Sequence, residues 1–175
     1  YTELEDPLLL KKLGMILAGE DYSGLTFIQE NGRILDIQNG DTSGLLYGAA
    51  CDIGTTSVAL YIYDLTDGRL LKTCSALNRQ ISHGADVISR ISFCVQDSGG
   101  TAELQKLIVD TINGLLAEAA GEVPELRENL YSLVFCGNTA MQHFLFGFYP
   151  GALGHSPFAS LSMAAQRCFG RELGL

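Results

Sequence analysis

The sequence has no cluster of basic residues and no long apolar run. Eleven Lys and Arg residues stand against twenty Asp and Glu residues, so the net charge is −9. Binding to nucleic acid depends on clustered Lys and Arg, and the charge therefore argues against a nucleic-acid partner. No apolar segment approaches the ~20 residues that a membrane-spanning helix needs. We expect neither nucleic acid nor a membrane as a partner.

Paired cysteines are also lacking, although the chain has five cysteines. No Cys-x-x-Cys pair occurs, which argues against a zinc or iron–sulfur site built within this chain. Several of the cysteines lie in apolar patterns and are expected to be small buried hydrophobic residues. The sequence opens with acids, whereas a signal peptide opens with positive charge. Together with reduced thiols, this predicts a cytoplasmic protein.

Residues 1–47 are predicted to form a small α+β segment that ends a preceding domain. Asp6-Pro7 is typical of a helix start, and leucines follow it at helical spacing. Asn31-Gly32 predicts the turn of a β-hairpin. A linker rich in Gly, Asp and Ser follows the hairpin. We find no constellation of chemically active residues in this segment.

Residues 48–175 have a different pattern, which predicts an α/β fold. Three apolar segments separated by turn residues indicate an antiparallel meander: Ala49–Ile53, Val58–Asp64 and Leu70–Ala76. Two amphipathic helices are predicted next. The first begins near Asp86 and places Val87, Ile88, Ile91, Cys94 and Val95 on one face; the second carries a wide apolar stripe between Leu104 and Ala119. A fourth strand, Leu130–Cys136, and a further helix to Phe146 complete the pattern, and a short helix is expected around Ala164, Ala165 and Phe169.

The turn between the first two strands of the meander is rich in hydroxyl groups. Asp52 stands next to the last residue of the first strand. The strand is followed by Gly54, Thr55, Thr56 and Ser57, which we name the Thr55 loop. Glycine allows close approach to a ligand, and successive N–H groups with adjacent hydroxyls can surround a phosphate. Asp52 is suited to hold a hydrated Mg²⁺. The alternative is a plain β-turn beside a buried acid.

A second polar loop follows the fourth strand. It consists of Gly137, Asn138 and Thr139, and we name it the Asn138 loop. A helical crossover favours a parallel neighbour, so the fourth strand should lie beside the first and open at the same edge of the sheet. The N-terminus of a helix is a ready anion site. The alternative role of Asn138 is to cap that helix.

Asp86 and Arg90 lie one helical turn apart. We expect them to form a local ion pair, and a role at a lobe or partner interface is the alternative. The three histidines show no spacing that indicates metal ligation. No pair of a nucleophile and a base stands out.

Three segments together resemble the nucleotide-binding region of the reductive activators of corrinoid proteins. They are Cys51–Val58 with the meander behind it, Gly84–Ile91 and Phe135–Met141. These activators belong to the superfamily of acetate and sugar kinases, heat-shock chaperone ATPases and actin. The resemblance implies that residues 48–175 are an incomplete, ribonuclease-H-like first lobe of an ATP-binding domain. Residues 1–47 would be the end of a middle domain.

The resemblance also implies a function. ATP and Mg²⁺ would bind at Asp52, the catalytic and metal-holding residue, with the Thr55 loop and the Asn138 loop as cofactor-binding residues. ATP would drive reduction of the inactive Co(II) form of a corrinoid to Co(I). The partner would be a corrinoid iron–sulfur protein or a corrinoid methyltransfer protein. Electrons would come from a [2Fe-2S] domain outside this chain, and a homodimer is compatible with the family.

The sequence departs from the family at three points. It lacks the four-cysteine cluster pattern and the second phosphate loop, and Arg79 follows Asn78 where the family usually has proline. We therefore expect this chain to be a fragment that is inactive alone. Two alternatives stay open: a small-molecule kinase of the same superfamily, and a non-catalytic lobe for dimerisation or partner docking. Four cysteines at ferredoxin spacing in the upstream sequence would distinguish the activator from the kinase.

Overall fold

The computed structural model describes residues 6–175, and the chain divides between Leu46 and Tyr47 into two compact units. The first unit contains helix α1 (Pro7–Ala18) and the antiparallel strands β1 (Leu25–Glu30) and β2 (Arg33–Asn39). Asp6 caps α1 by accepting a hydrogen bond from the Leu8 N–H. Asn31 and Gly32 both have positive φ in the hairpin turn, as a type I′ turn requires. The predicted helix and hairpin are confirmed.

The second unit is built on a four-stranded mixed sheet. Its strands are β3 (Tyr47–Ile53), β4 (Ser57–Asp64), β5 (Leu70–Leu77) and β6 (Leu130–Gly137), in the order β5-β4-β3-β6. β3 is antiparallel to β4 and parallel to β6, and β4 is antiparallel to β5. The meander and its parallel fourth strand are therefore confirmed, and the fold is α/β.

Five helices accompany this sheet in the described residues. They are α2 (Val87–Gln96), α3 (Gly100–Ala120), α4 (Leu126–Asn129), α5 (Thr139–Phe146) and α6 (Gly170–Leu173), with 3₁₀ turns at Arg79–His83 and Gly151–Gly154. The apolar stripe of α3 is buried, since Leu104, Ile108 and Ile112 have no exposed surface. α3 packs against β4, β5 and α5. Each such side chain contributes about 1.5–3 kcal/mol to folding by its burial.

Two details of the predicted helices are wrong. In α2 the buried face contains Arg90, Ile91 and Cys94, whereas Ile88 and Val95 are more than half exposed. The buried face of α2 therefore includes an arginine, which was not among the apolar residues predicted for that face. In the last part of the chain, the short helix is Gly170–Leu173, with Phe169 as its N-cap, and it does not include Ala164 or Ala165.

No helix among residues 6–175 has both the length and the apolar character that crossing a membrane requires.

Candidate functional site

The Thr55 loop is a tight turn that only glycine permits at its first position. The Gly54 N–H donates to the Ser57 carbonyl at 2.9 Å, which closes the turn between β3 and β4. A Cβ on residue 54 would lie 2.6 Å from that same carbonyl oxygen, a contact that forces the backbone to move. Gly54 is therefore needed because the two strands approach each other closely at this point.

Asn78 holds the loop from behind. This residue follows β5 and is completely buried. Its side-chain Nδ2 donates to the Gly54 carbonyl at 2.9 Å, and its backbone N–H donates to the Thr56 carbonyl at 2.9 Å. Its Oδ1 accepts from the Gln80 N–H at 3.0 Å and so caps the 3₁₀ turn. One buried amide thus ties the loop to the turn that follows the meander.

Arg90 binds the remaining carbonyl of the loop. Its Nη2 donates to the Thr55 carbonyl at 2.6 Å, and its Nε donates to the Gly84 carbonyl at 3.0 Å. The side chain is completely buried, and this burial lowers the pKa of the guanidinium, while the charge of Asp86 opposes the shift. Arg90 lies on the buried face of α2, four residues before Cys94, although its charge favoured an exposed position in the sequence analysis.

The expected ion pair between Asp86 and Arg90 is wrong. Asp86 is instead the N-cap of α2: it accepts from the Ser89 N–H at 2.9 Å and from the Ser89 hydroxyl at 2.8 Å. These hydrogen bonds from Ser89, more than the nearby Arg90, hold the pKa of Asp86 below its ordinary value. The cap positions α2, and α2 in turn positions Arg90 under the loop.

The bound carbonyls fix the direction in which the loop amides point. The carbonyls of Gly54, Thr55 and Thr56 all accept hydrogen bonds from Asn78 or Arg90. In a trans peptide the C=O of one residue and the N–H of the next point in opposite directions. The N–H groups of Thr55, Thr56 and Ser57 therefore point away from Asn78 and Arg90. Within the described part of the chain, the Thr55 and Thr56 N–H groups have no acceptor.

The Asn138 loop lies beside the Thr55 loop. In the parallel pairing of β3 and β6, Ile53 is opposite Gly137. A Cβ on residue 137 would lie 2.9 Å from the Ile53 carbonyl oxygen, so glycine is needed there too. Asn138 Nδ2 donates to Thr55 Oγ1 at 3.3 Å, and Asn138 Oδ1 accepts from the Met141 N–H at 3.0 Å. Asn138 therefore both caps α5 and contacts the first loop, and Thr139 is the first residue of α5.

Asp52 is exposed. The alternative of a plain β-turn beside a buried acid is therefore wrong about the burial of this acid. Asp52 lies opposite Cys136 in the sheet, and the Cys136 thiol donates to its Oδ1 at 3.7 Å. Burial, together with the charge of Asp52, raises the pKa of Cys136. Among the described residues no three His, Cys, Asp or Glu side chains form a group that could hold a metal. A single exposed carboxylate beside hydroxyl groups suits a hydrated Mg²⁺ that is also held by a bound phosphate.

Three of the five cysteines, and His143, are buried and form no part of the candidate site. Cys51, Cys74 and Cys94 are buried, while Cys136 and Cys168 are exposed. Burial raises the pKa of Cys51 to about 12, which keeps this thiol protonated. His143 is buried in α5 with its Nδ1 2.8 Å from the Thr139 carbonyl, as expected for an ordinary helix residue.

Comparisons with known proteins identify one matching family, one related sequence and one similar solved structure. Residues 47–175 match the family described as the RACo middle region. The corrinoid activation enzyme RamQ of Eubacterium limosum is 35% identical over 154 residues, which cover 87% of this chain and 26% of that protein. A solved structure of a reductive activator for corrinoid, iron-sulfur protein matches with a TM-score of 0.73 and 32% identity, over 90% of this chain and 26% of that chain. This chain spans about a quarter of the length of these relatives.

Proposed function

Because this chain belongs to the RACo middle region family, we propose that it is the phosphate-binding part of an ATP-dependent reductive activator of a corrinoid protein. Its likeness to a corrinoid activation enzyme and to a reductive activator supports this role. The partner would be a corrinoid iron–sulfur or corrinoid methyltransfer protein. The [2Fe-2S] group that supplies the electron would belong to a domain outside this chain.

We also propose that residues 48–175 form the first lobe of an actin-like ATP-binding domain. The antiparallel meander with a parallel fourth strand, covered by helices, supports this assignment. Residues 1–47 would then end the preceding domain. A second lobe would supply the rest of the nucleotide contacts, so this chain alone is expected to bind nucleotide weakly.

The direction of the N–H groups in the Thr55 loop is the main observation that supports binding of a nucleotide phosphate. Three successive carbonyls are bound by Asn78 and Arg90, so the N–H groups of Thr55 and Thr56 point away from these residues as donors without an acceptor in the described part of the chain. Phosphate oxygens accept such hydrogen bonds. The Asn138 side chain and the N-terminus of α5 lie at the same edge. These groups would bind and orient the phosphates without a change in the backbone.

Asp52 has a separate role in this proposal. Its carboxylate would hold a hydrated Mg²⁺, whose charge would offset the negative charge of the phosphates when the nucleotide is bound. Asp52 stands at the end of β3, and β3 is paired on both sides, so the carboxylate has a fixed origin beside the loop. Cys136 is its neighbour across the sheet and donates a weak hydrogen bond to it.

An Asp52→Asn variant of the full-length protein tests the proposal. We expect it to lose ATP-dependent reduction of the corrinoid to Co(I), followed by the absorption spectrum of the corrinoid, and to keep its unfolding midpoint. Asp67→Asn makes the same change of charge in the exposed turn between β4 and β5 and should behave as the unsubstituted protein. Normal reduction by Asp52→Asn, or no stabilisation of the unsubstituted protein by millimolar Mg²⁺–ATP, would contradict the proposal.

A further inference from the structure

A buried positive charge without a salt bridge among the described residues lies directly behind the Thr55 loop, and the nearby charge of Asp86 acts on it only from beyond ion-pair distance. Arg90 has no exposed surface, and no carboxylate of residues 6–175 lies within ion-pair distance of its guanidinium. Burial of an unpaired charge is costly, and such charges are usually paired with an acid or a metal-bound group. The position therefore requires an explanation beyond packing.

The surroundings of Arg90 are rigid and made of neutral acceptors. Besides the carbonyls of Thr55 and Gly84, its Nη1 donates to Gln80 Oε1 at 3.2 Å. The orientation of Gln80 is fixed in turn, because its Nε2 donates to the Leu104 carbonyl of α3 at 2.8 Å. A Cβ on residue 84 would lie 2.6 Å from the Ser89 Cβ, so glycine is needed at this position, whose carbonyl binds Arg90. The guanidinium is thus held in one place under the loop.

The opposite side of the same loop is where the proposed phosphate binds. The Thr55 carbonyl points to Arg90, and the N–H of the next residue, Thr56, points the other way. A bound anion would therefore be separated from the guanidinium by one peptide group and the hydrogen bond on each side of it. Asp52, Thr56 and Ser57 are exposed on the ligand side, so solvent screens part of the attraction between the two charges.

We propose that Arg90 is a positioning residue for the phosphate ligand and that the bound anion supplies further negative charge, beyond that of Asp86, to offset the burial of the guanidinium. This inference rests on the proposed function. It has two parts: the planar fork of Arg90 fixes the peptide between Thr55 and Thr56, and its charge favours ligands with more negative charge. Lysine keeps the charge but lacks the fork, so the two parts can be separated.

The test uses the full-length protein with Arg90→Met and Arg90→Lys. Arg79→Met is the matched control, since Arg79 is an exposed arginine on the neighbouring 3₁₀ turn and its loss changes the net charge equally. Calorimetric titration measures the dissociation constants of Mg²⁺–ATP, inorganic triphosphate and adenosine. We expect Arg90→Met to weaken ATP and triphosphate by about 10-fold to 100-fold, the range for one charged hydrogen bond, and to leave adenosine unchanged. Arg90→Lys should be intermediate, and Arg79→Met should bind as the unsubstituted protein does.

Each other result overturns the inference in a recognisable way. Unchanged affinity for ATP in Arg90→Met shows that Arg90 does not act on the phosphate. Equal weakening of ATP and adenosine shows a general structural role. If Arg90→Met does not fold, Arg90→Lys carries the comparison, and failure of both to fold shows that Arg90 acts through the fold alone. If the unsubstituted protein binds neither ATP nor triphosphate, the proposed function itself is wrong.

Discussion

The sheet of the second unit has two hairpin turns, and they satisfy their hydrogen bonds in opposite ways. In the turn between β4 and β5, Asp64 accepts from the Thr66 N–H and hydroxyl, Asp67 accepts from the Arg69 N–H, and the Gly68 N–H donates to the Asp64 carbonyl. This turn is closed by its own residues. In the Thr55 loop, by contrast, the carbonyls are bound by Asn78 and Arg90, which lie 24 and 35 residues from the groups that their side chains bind.

The difference shows how a turn can keep backbone N–H groups available for a ligand. In the turn between β4 and β5, the N–H groups of Thr66, Gly68 and Arg69 already donate to acceptors within the turn and are not available to a ligand. In the Thr55 loop the carbonyls accept from the core, and the N–H groups of Thr55 and Thr56 are left without an acceptor in the described residues and are fixed in direction. The rigidity then comes from the core, and the ordering of the loop does not have to be provided when the ligand binds.

Glycine substitutions in the two turns should give the largest contrast. Gly54→Ala places a Cβ 2.6 Å from the Ser57 carbonyl oxygen, so the loop must shift, and we expect Mg²⁺–ATP affinity to fall by about 100-fold. Gly68→Ala meets no atom within 4 Å but has a φ of +76°, so it should cost roughly 1–2 kcal/mol of stability and leave affinity unchanged. Calorimetric titration and urea denaturation measure the two effects. Equal ATP affinity in the two variants would contradict the contrast.

Removal of one side chain that hydrogen-bonds each turn should give a smaller difference. Asn78→Ala leaves the Gly54 carbonyl and the Gln80 N–H without partners, and we expect a loss of about 2–4 kcal/mol in the free energy of unfolding together with weaker ATP binding. Thr66→Ala removes one hydroxyl hydrogen bond and should cost about 0.5–1.5 kcal/mol with no effect on binding. Normal ATP binding by Asn78→Ala would show that the hydrogen bond from the Asn78 side chain to the Gly54 carbonyl is not needed for binding.

Alkylation of the exposed thiols should sense the ligand at one end of the sheet only. Cys136 lies beside Asp52, whereas Cys168 is exposed in the last part of the chain. We expect Mg²⁺–ATP to slow the reaction of Cys136 with iodoacetamide several-fold and to leave Cys168 as the internal control, with peptide mass spectrometry as the readout. Equal slowing of both thiols would indicate a general change in the protein, and no slowing of Cys136 would remove Asp52 from the ligand site.

The pH dependence of the closed turn should be the smallest effect. Hydrogen bonds from the Thr66 hydroxyl and N–H hold the pKa of Asp64 below its ordinary value of 3.8. Because the pKa is depressed in the folded state, this carboxylate stabilises the protein above pH 3.8 and the contribution disappears as the pH falls below it. Asp64→Asn should therefore lower the unfolding midpoint at pH 6 and have less effect at pH 2.5. A difference that is independent of pH would show that the charge of Asp64 is not involved.

The proximity of the two loops of the candidate site could be predicted, because each loop lies at the end of a β-strand. Asp52 is the next-to-last residue of an apolar strand and Asn138 directly follows another, and a helical crossover places two such strands in parallel. The contact between Asn138 and Thr55 then follows from the pairing of β3 with β6. The roles of these residues toward ATP and Mg²⁺ stay predictions, as do the two alternatives of a kinase and a docking lobe.

The support behind the loop could not be predicted in the same way. The charge of Arg90 suggested a surface ion pair with Asp86 one turn away, which is the usual arrangement of such residues on a helix. In the structure, the core of α2, α3 and α5 closes over Arg90, and the polar backbone of a loop 35 residues earlier provides its acceptor. Only the packing of the helices against the sheet determines that this side chain points inward.

The sequence by itself determined the order and type of the elements, since apolar periodicity, turn residues and helix caps act over a few neighbouring residues. It also determined that two small polar loops follow β3 and β6. The tertiary structure decided which way the Thr55 loop presents its donors, because that direction depends on Asn78 and Arg90, which only the folded core brings to the loop's carbonyls.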